Sequence, residues 1–518
     1  GGAVLSYTSY KSMTIFGPPG TGKTTRLINM VQEALESGTD PARVGFMSFS
    51  KKATTEARDR AIEKLQVNAK DLVWFRTLHS MAFRQLGLRR EQVLDGGDLN
   101  ALSKILGLPM TSSQNIRMDE GLLFTPGQAK GDEYYNMYNL SRATGQTLGA
   151  VFNQTFSDNM LYFRELEHVV SAIEEYKQET KKVDFVDMIE RFIEDGECPS
   201  FDLLIVDEAQ DLVPLQWRMI HEVIVPRSDR VVFAGDDDQC IFSWMGVKVD
   251  NFLSSSEHKQ VLDKSYRVPK KIHQFANNVV SRLSIRQDKD WMPTDEEGDI
   301  TYNYELEDID MSKGEWLILA RTNFIANRIA NKLRDMGYLF WKDNRWSISS
   351  RILESIEAWL KLQKGESLSG DDLKAFAKMA VASDRYLSKA CRRKISGLES
   401  HGLYDLNYLT VFCGMAAGKD DPWYDVIRIR DIDYAYITSV RRMGESILNV
   451  SKPRIEVSTI HRAKGGEADN VVLFTETSPK IQKFSTVDEE IRTFYVGITR
   501  ARKTLHIVQS YSNYRFQL

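Results

Sequence analysis

Cysteine is scarce and scattered. The chain of 518 residues holds four, Cys198, Cys240, Cys391 and Cys413, and none forms a Cys-x-x-Cys pair. That spacing excludes an iron–sulfur cluster, a zinc module and a disulfide framework, and it fits a reducing, intracellular (cytoplasmic) setting. Long apolar runs are missing as well. Nothing approaches the roughly 18 residues of a membrane span, and the N-terminus lacks the charged-then-apolar pattern of a secretion signal, so no membrane association is expected. The chain opens Gly-Gly without Met, as a processed N-terminus or a tag remnant would. Positive charge is not in excess. With 68 Lys and Arg against 72 Asp and Glu the formal charge is −4, which excludes attraction of polyanions by bulk charge but leaves room for a local basic groove. Repeats and low-complexity linkers are absent. What is present, 42% hydrophobic, 10% aromatic and 27% charged residues, is the composition of a globular protein long enough for about three or four compact units.

Short apolar runs recur at 13–16, 44–49, 203–206, 231–234, 316–320, 471–474 and 505–508. Each lies beside a turn or helix signal, the pattern of buried parallel strands in βαβ units. They form an early and a late group, divided near residue 260. Long stretches of helical spacing interrupt both, as at 166–177 and 352–362. The predicted fold class is α/β, with two parallel-sheet cores that each carry a mainly helical insertion. The first core is expected at 1–80 and 196–260 with its insertion at 81–195. The second is expected at 261–345 and 453–518 with its insertion at 346–452.

Gly17-Pro18-Pro19-Gly20-Thr21-Gly22-Lys23-Thr24 fits G-x-x-x-x-G-K-[ST] between a predicted strand and an amphipathic stretch that starts at Thr25. Glycines let the backbone wrap phosphates at a helix N-terminus; Lys23 is expected on the β and γ phosphates of ATP and Thr24 on Mg2+. The apolar strand 203–206 delivers Asp207 and Glu208 to its carboxyl end, where open α/β sheets place ligands. Asp207 is expected to hold Mg2+ and Glu208 to polarise the attacking water. For single-stranded nucleic acid the candidates are aromatic platforms, Trp244 first and then Phe49 and Phe242.

Asp207-Glu208-Ala209-Gln210-Asp211 and Gly235-Asp236-Asp237-Asp238-Gln239-Cys240-Ile241-Phe242-Ser243-Trp244 resemble motifs II and III of the UvrD/Rep/PcrA helicases of superfamily 1A. Further matches follow in family order. They are Phe49-Ser50-Lys51-Lys52-Ala53 (Ia), Thr77-Leu78-His79-Ser80 (Ib), Ser265-Tyr266-Arg267 (IV), Arg321-Thr322-Asn323 (IVa), Thr459 to Glu467 (V) and Tyr495 to Ala501 (VI). Asp184-Phe185-Val186-Asp187-Met188 also has a family counterpart. The resemblance implies two RecA-like P-loop NTPase cores and an ATP-dependent single-stranded DNA translocase and DNA helicase, moving 3′ to 5′ in replication, repair or recombination. It implies that Gln239 senses the γ-phosphate and that Arg267 and Arg500, both expected from the second core, close over the nucleotide as arginine fingers. Tyr266 is implied at the adenine and Glu467 at the ribose. Phe49 and Trp244 are implied on successive bases, with Lys51, Thr77, His79 and His461 along the DNA backbone. The implied partners are single-stranded DNA and single-strand/duplex junctions, with room for a replication or repair protein.

The chain departs from the family pattern at several points. No Gln precedes Gln32, so the usual adenine-reading element upstream of the P-loop is not matched, and strict preference for ATP is not implied. Met245 stands where Arg is common, Gly466 where Leu is frequent, and Lys51 where Asn is frequent. The stretch from Arg321 to Thr459 is short for the family and lacks a Gly-Ile-Gly duplex-binding element, which marks a compact member with a reduced second insertion. A basic cluster there, Lys389, Arg392, Arg393 and Lys394, is either a duplex contact or a solvated helix face. The alternative function is a DNA-stimulated ATPase that remodels protein–DNA complexes with little autonomous unwinding. A decayed, non-enzymatic DNA-binding subunit is disfavoured by the complete set Lys23, Thr24, Asp207, Glu208, Gln239, Arg267 and Arg500.

Overall fold

The computed structural model describes residues 11–111, 129–155, 157, 159–445 and 452–518. The segment expected to lack an adenine-reading Gln therefore lies almost wholly outside the described residues. The chain forms two compact units, Gly1–Gly298 with Pro479–Thr499, and Asp299–Ser478 with Arg500–Leu518. The mixed α/β class is as expected. By contacts, 261–298 and 479–499, expected with the second core, belong to the first unit.

The first unit is built on six strands: β1 (Ser12–Phe16), β2 (Val44–Ser48), β3 (Phe75–Thr77), β4 (Phe201–Asp207), β5 (Ser228–Gly235) and β6 (Lys259–Val261). They pair in the order β3-β2-β4-β5-β1-β6, and every pairing is parallel. The central strands are buried along almost their whole length, as near-continuous apolar runs require when helices cover both faces. One face packs Phe16, Leu204, Val206 and Phe233, the other Ile15, Phe46, Ile205 and Val232. Three helices follow strands directly: α1 (Lys23–Glu36), α2 (Lys51–Leu65) and α3 (Leu78–Gln85). Ser50 and Thr77 start the latter two, their hydroxyls accepting from the Ala53 and Ser80 amides. The expected helical insertion is present as helices Gly96–Leu106, Lys130–Thr144, Leu148–Gln154, Phe163–Thr180 and Phe185–Asp195. Arg142 ties it together, pairing with Asp184 at 2.6 Å and Asp187 at 2.8 Å.

The second unit holds β7 (Asp299–Asn303), β8 (Trp316–Ala320), β9 (Trp341–Lys342), β10 (Arg345–Trp346), β11 (Leu368–Ser369), β12 (Leu403–Tyr404), β13 (Ile455–Thr459), β14 (Ala468–Phe474) and β15 (Ala501–Val508). Seven of them form a sheet ordered β10-β9-β13-β8-β14-β15-β7, parallel except for the β9–β10 hairpin. Asp343 and Asn344 turn that hairpin with φ of 53° and 62°, the left-handed pair that a two-residue turn of this twist demands. The insertion is helical around Trp359, which stacks on Phe376 at 5.9 Å, with β11 and β12 as a separate two-stranded ribbon. Its basic cluster is partly structural: Arg392 donates to the Ala377 and Ala380 carbonyls near the end of the helix Gly370–Met379. No described helix is long and apolar enough to cross a membrane.

His79 corrects the sequence expectation. It sits on the buried side of α3, 1% exposed, with its ring edge-on to Phe185 at 5.7 Å. Among the described residues neither ring nitrogen has a hydrogen-bond partner, and burial lowers its pKa from 6.5 to about 4. A neutral, enclosed imidazole does not serve as a cation for DNA phosphates. The unfolded chain binds a proton at this residue near pH 6.5, whereas the folded chain resists it down to about pH 4. Stability should therefore fall as pH drops through that window, by up to about 1.4 kcal/mol per pH unit. His79→Leu should flatten this slope, read as urea midpoints at pH 7 and pH 5; an unchanged slope would show that His79 is not held neutral.

Candidate nucleotide site and nucleic-acid track

Parallel pairing sets the carboxyl ends of β1, β2, β3, β4 and β5 along one edge of the first sheet, with Phe16 opposite Gly235 and Ser48 opposite both Thr77 and Asp207. The P-loop leaves β1 there. Its Gly17 amide donates to the Gly235 carbonyl at 2.8 Å. Gly20 and Gly22 have φ of 70° and 75°, and Gly22 caps α1 with no side chain to satisfy its first amides. Those amides are left for an anion. A Cβ on Gly17 would stand 3.0 Å from Lys23 Cβ, so the loop closes on its own lysine.

Lys23 Nζ lies 2.9 Å from Asp207 Oδ1 and also pairs with Glu208. Burial by itself would lower the ammonium pKa, but the two carboxylates outweigh it and hold it above the ordinary value. Burial likewise raises the Asp207 carboxyl, opposed by Lys23. Glu208 adopts φ of 51°, a left-handed conformation uncommon outside glycine and typical of functional turns. Thr24 lies half-buried at the start of α1, Thr25 is exposed, and Thr21 Oγ1 is tied to the Pro18 carbonyl at 2.7 Å.

From Glu208 the polar contacts continue without a break. Gln210 Nε2 donates to Glu208 Oε2 at 2.7 Å, and Gln210 Oε1 accepts from the Asp236 amide at 3.1 Å. Gly235 permits this approach, because a Cβ there would lie 2.0 Å from Gln210 Oε1. Asp236 Oδ2 accepts from Gln239 Nε2 at 2.8 Å. Asp236, Asp237 and Asp238 stand close enough together to suggest a metal, but an ammonium fills their centre. Lys289 Nζ is 2.6 Å from Asp237 Oδ1, 3.0 Å from Asp238 Oδ2 and 3.7 Å from Asp236 Oδ1, and Arg286 grips Asp238 with two nitrogens. Burial still pushes Asp236 up to about 7, against the pull of Lys289. Sequence reasoning missed Gln210, Arg286 and Lys289. Three consecutive acids after an apolar strand were the available signal, since buried carboxylates require cations.

Arg267 differs from expectation. β6 pairs with β1, and the loop after it runs back over the P-loop within the same unit. Ser265 Oγ donates to the Pro19 carbonyl at 2.8 Å, and the Tyr266 amide donates to the Gly20 carbonyl at 2.7 Å. Arg267 Cβ lies 2.4 Å from where a Gly20 Cβ would be. Arg267 thus belongs to the unit that carries the P-loop and is not brought by the second core. Tyr266 is 76% exposed, its ring edge 3.9 Å from the Cβ position of Gly22. Arg500 and Glu467 lie in the second unit, Arg500 donating to the Gly466 carbonyl at 3.1 Å and Glu467 pairing with Arg502.

Beyond Gln239 the aromatic residues form a graded set. Trp244 is 60% exposed, Phe242 is half-buried 6.5 Å from it, and Phe49 is buried with its ring stacked on Phe242 at 6.3 Å. Trp244 is the open platform and Phe49 mostly its support. Met245, in place of a common Arg, packs into the core. Lys51 is exposed at the start of α2, whereas Thr77 is buried as the cap of α3. His461 lies half-buried in the second unit on the helical turn Ile460–Ala463.

Residues 3–260 match the UvrD/REP helicase N-terminal domain family and residues 434–512 the UvrD-like helicase C-terminal domain family. Among curated proteins, the ATP-dependent DNA helicase PcrA of Bacillus subtilis is 24% identical over 357 residues, 65% of this chain and 45% of the relative. PcrA of Leuconostoc citreum is 26% identical over 394 residues, 68% and 51% respectively, and PcrA of Staphylococcus aureus 25% over 379 residues, 67% and 47%. The chain spans about half the length of the curated relatives it matches. Together with the P-loop, the carboxylate pair and the motif order carried by the two sheets, these matches show that the chain belongs to the UvrD-like superfamily 1 helicases.

Proposed function

We propose that the chain is an ATP-driven motor on single-stranded DNA, a translocase and DNA helicase that moves 3′ to 5′ and engages single-strand/duplex junctions, with Mg2+ as its metal. The observation that carries this reading is the continuous polar path from Lys23 through Glu208, Gln210 and Asp236 to Gln239, on the loop that leads to Trp244. A protein that only stored nucleotide would not need its phosphate end linked to an exposed aromatic platform.

The residues fit both ligands. Gly17 and Gly20 let Lys23 and Arg267 pack close on the loop, the start of α1 has no side-chain cap on its first amides, and Thr24 and Asp207 offer the oxygen ligands that Mg2+ takes. When bound, ATP supplies the phosphoanhydride and Mg2+ offsets its charge. Lys23 exchanges its carboxylate partners for phosphate oxygens, which frees Glu208 to accept a proton from water. Gln239 reports the γ-phosphate, and Arg267, whose backbone already flanks the P-loop, supplies positive charge where negative charge develops. Tyr266 offers a flat face to the base. Arg500 and Glu467 are assigned as finger and ribose contact from motif position. On the DNA side, Trp244 stacks on a base, Phe242 and Phe49 back it, and Lys51 and His461 serve the backbone, whereas Thr77, buried with its hydroxyl spent on the Ser80 amide, sets the turn into α3 and does not reach the strand as expected.

Glu208→Gln should keep nucleotide binding while DNA-stimulated hydrolysis drops on the order of 10²- to 10⁴-fold. Turnover near wild type in a steady-state ATPase assay would remove Glu208 as the base. Trp244→Ala should weaken single-stranded DNA binding by about 1 to 3 kcal/mol and abolish most DNA stimulation with basal hydrolysis retained; equal loss of both would make Trp244 a packing residue. Unwinding of a 3′-tailed but not a 5′-tailed duplex is expected, dependent on Arg500 as read from Arg500→Ala. Robust ATPase without unwinding of either substrate would favour remodelling of protein–DNA complexes.

A further inference from the structure

One strongly basic feature of the first unit has no part in the nucleotide site. Between α2, β3 and α3 lies a half-open cavity of about 450 Å3. Lys51, Arg58, Lys70, Arg76 and Arg84 line it, and among the described residues no carboxylate does. In a chain of net charge −4, a lining of one sign is a local positive field that attracts an anion. Arg76 registers this: burial lowers its guanidinium pKa, and repulsion from Arg84 and Arg58 lowers it further. The side chain is nevertheless fixed, donating to the Val73 carbonyl at 2.6 Å and to Ser80 Oγ at 3.0 Å. Arg58 keeps its Nε buried with no hydrogen-bond partner among the described residues, its ion pair with Asp59 Oδ1 being a long 4.0 Å. Arg84 is exposed with its guanidinium 5.8 Å from the Trp74 ring.

The position of the cavity identifies the anion. Of its lining residues, Thr77 ends β3 and Lys51 opens α2 just past the carboxyl end of β2, two positions after Phe49 of the aromatic track. From there it continues along β3, the outermost strand of the sheet, toward Lys70 in the loop that precedes it. Several cations in one groove, with the hydroxyls of Thr55 and Ser80 also in its lining, are what a phosphodiester backbone meets in single-strand sites. An acidic peptide would also meet the cations. Continuity with the base platform favours the nucleic-acid strand.

We propose that this cleft extends the DNA path, binding the phosphodiester backbone of nucleotides that lie beyond the Trp244–Phe242–Phe49 track. The inference rests on Trp244 being a base platform. It predicts a site longer than the aromatics alone define and a salt dependence carried largely by residues outside the helicase motifs.

The test is fluorescence anisotropy on the full chain, with oligothymidylates of about 8 and about 16 nucleotides across a salt series. In Arg58→Gln/Lys70→Gln/Arg84→Gln the longer oligomer should bind on the order of 10-fold more weakly, its log–log salt slope smaller by about 2 at ~0.7 per phosphate contact. The shorter oligomer should bind as to wild type, and Arg58→Lys/Arg84→Lys should retain the long-oligomer affinity. Retained basal ATPase shows that the triple variant is folded, and Lys70→Gln alone, at an exposed position, gives the same test at smaller amplitude. An unchanged slope for the longer oligomer, or equal losses at both lengths, overturns the proposal. So does polyglutamate binding that the triple variant abolishes while long-oligomer affinity stays intact. Trp244→Ala should weaken both lengths alike; if it weakens neither, it is the base-platform reading that fails.

Discussion

Parallel register in the first sheet is the constraint on which the site depends. Because β1 to β6 all point one way, every loop that leaves a carboxyl end opens on the same edge, and Phe16, Ser48, Thr77, Asp207 and Gly235 arrive there together. Register is enforced by strands buried on both faces: a slip of one residue would turn Ile205 and Val206 to the wrong layers and move Asp207 away from Lys23. The geometry of the P-loop, the carboxylate pair and the aspartate loop is therefore inherited from packing that touches no ligand.

Two ion clusters share that edge and behave differently. Around Lys23 the charges are partly accessible, with Lys23 14% and Glu208 33% exposed, so the pairs can be exchanged for a ligand. Around Lys289 they are closed: its side chain is 1% exposed and the three aspartates are equally enclosed. A buried cluster of this kind costs desolvation and returns it only while every member is paired, which makes it a fixed point. Gln210 joins the two, its amide spanning from Glu208 to the Asp236 backbone through the space Gly235 leaves open. One end is partly open and the other is a closed fixed point that holds the loop of Gln239, and a mechanical connection needs both properties.

Much of this was legible in the sequence. All seven apolar runs are strands, since a doubly covered parallel strand is apolar throughout and stands out as a run. The strands that went unseen are those where the pattern weakens. β3 and β6 are three residues long, β9 to β12 only two, β7 is half-exposed, and β13 breaks its run with the exposed Glu456. The P-loop and Asp207-Glu208 could be read because their chemistry depends on local spacing. Lys289 could not, because it meets Asp237 from 52 positions away and only folding brings them together. His79 was misread for a related reason: a motif letter does not say which face of α3 it occupies, and here that face packs on Phe185. Arg267 was assigned to the wrong unit because the short β6, which carries its loop back to β1, left no periodic signal.

The outer strands of the first sheet carry one more consequence. β3 and β6 end the sheet with three residues each, so their free backbone groups offer a second molecule little to pair with. Along β3 the guanidiniums of Arg58, Arg76 and Arg84 would also meet their own images in a like copy. The edge is thereby protected against strand-to-strand aggregation by brevity and by self-repulsion, a safeguard for a chain whose central strands are otherwise among its most apolar segments.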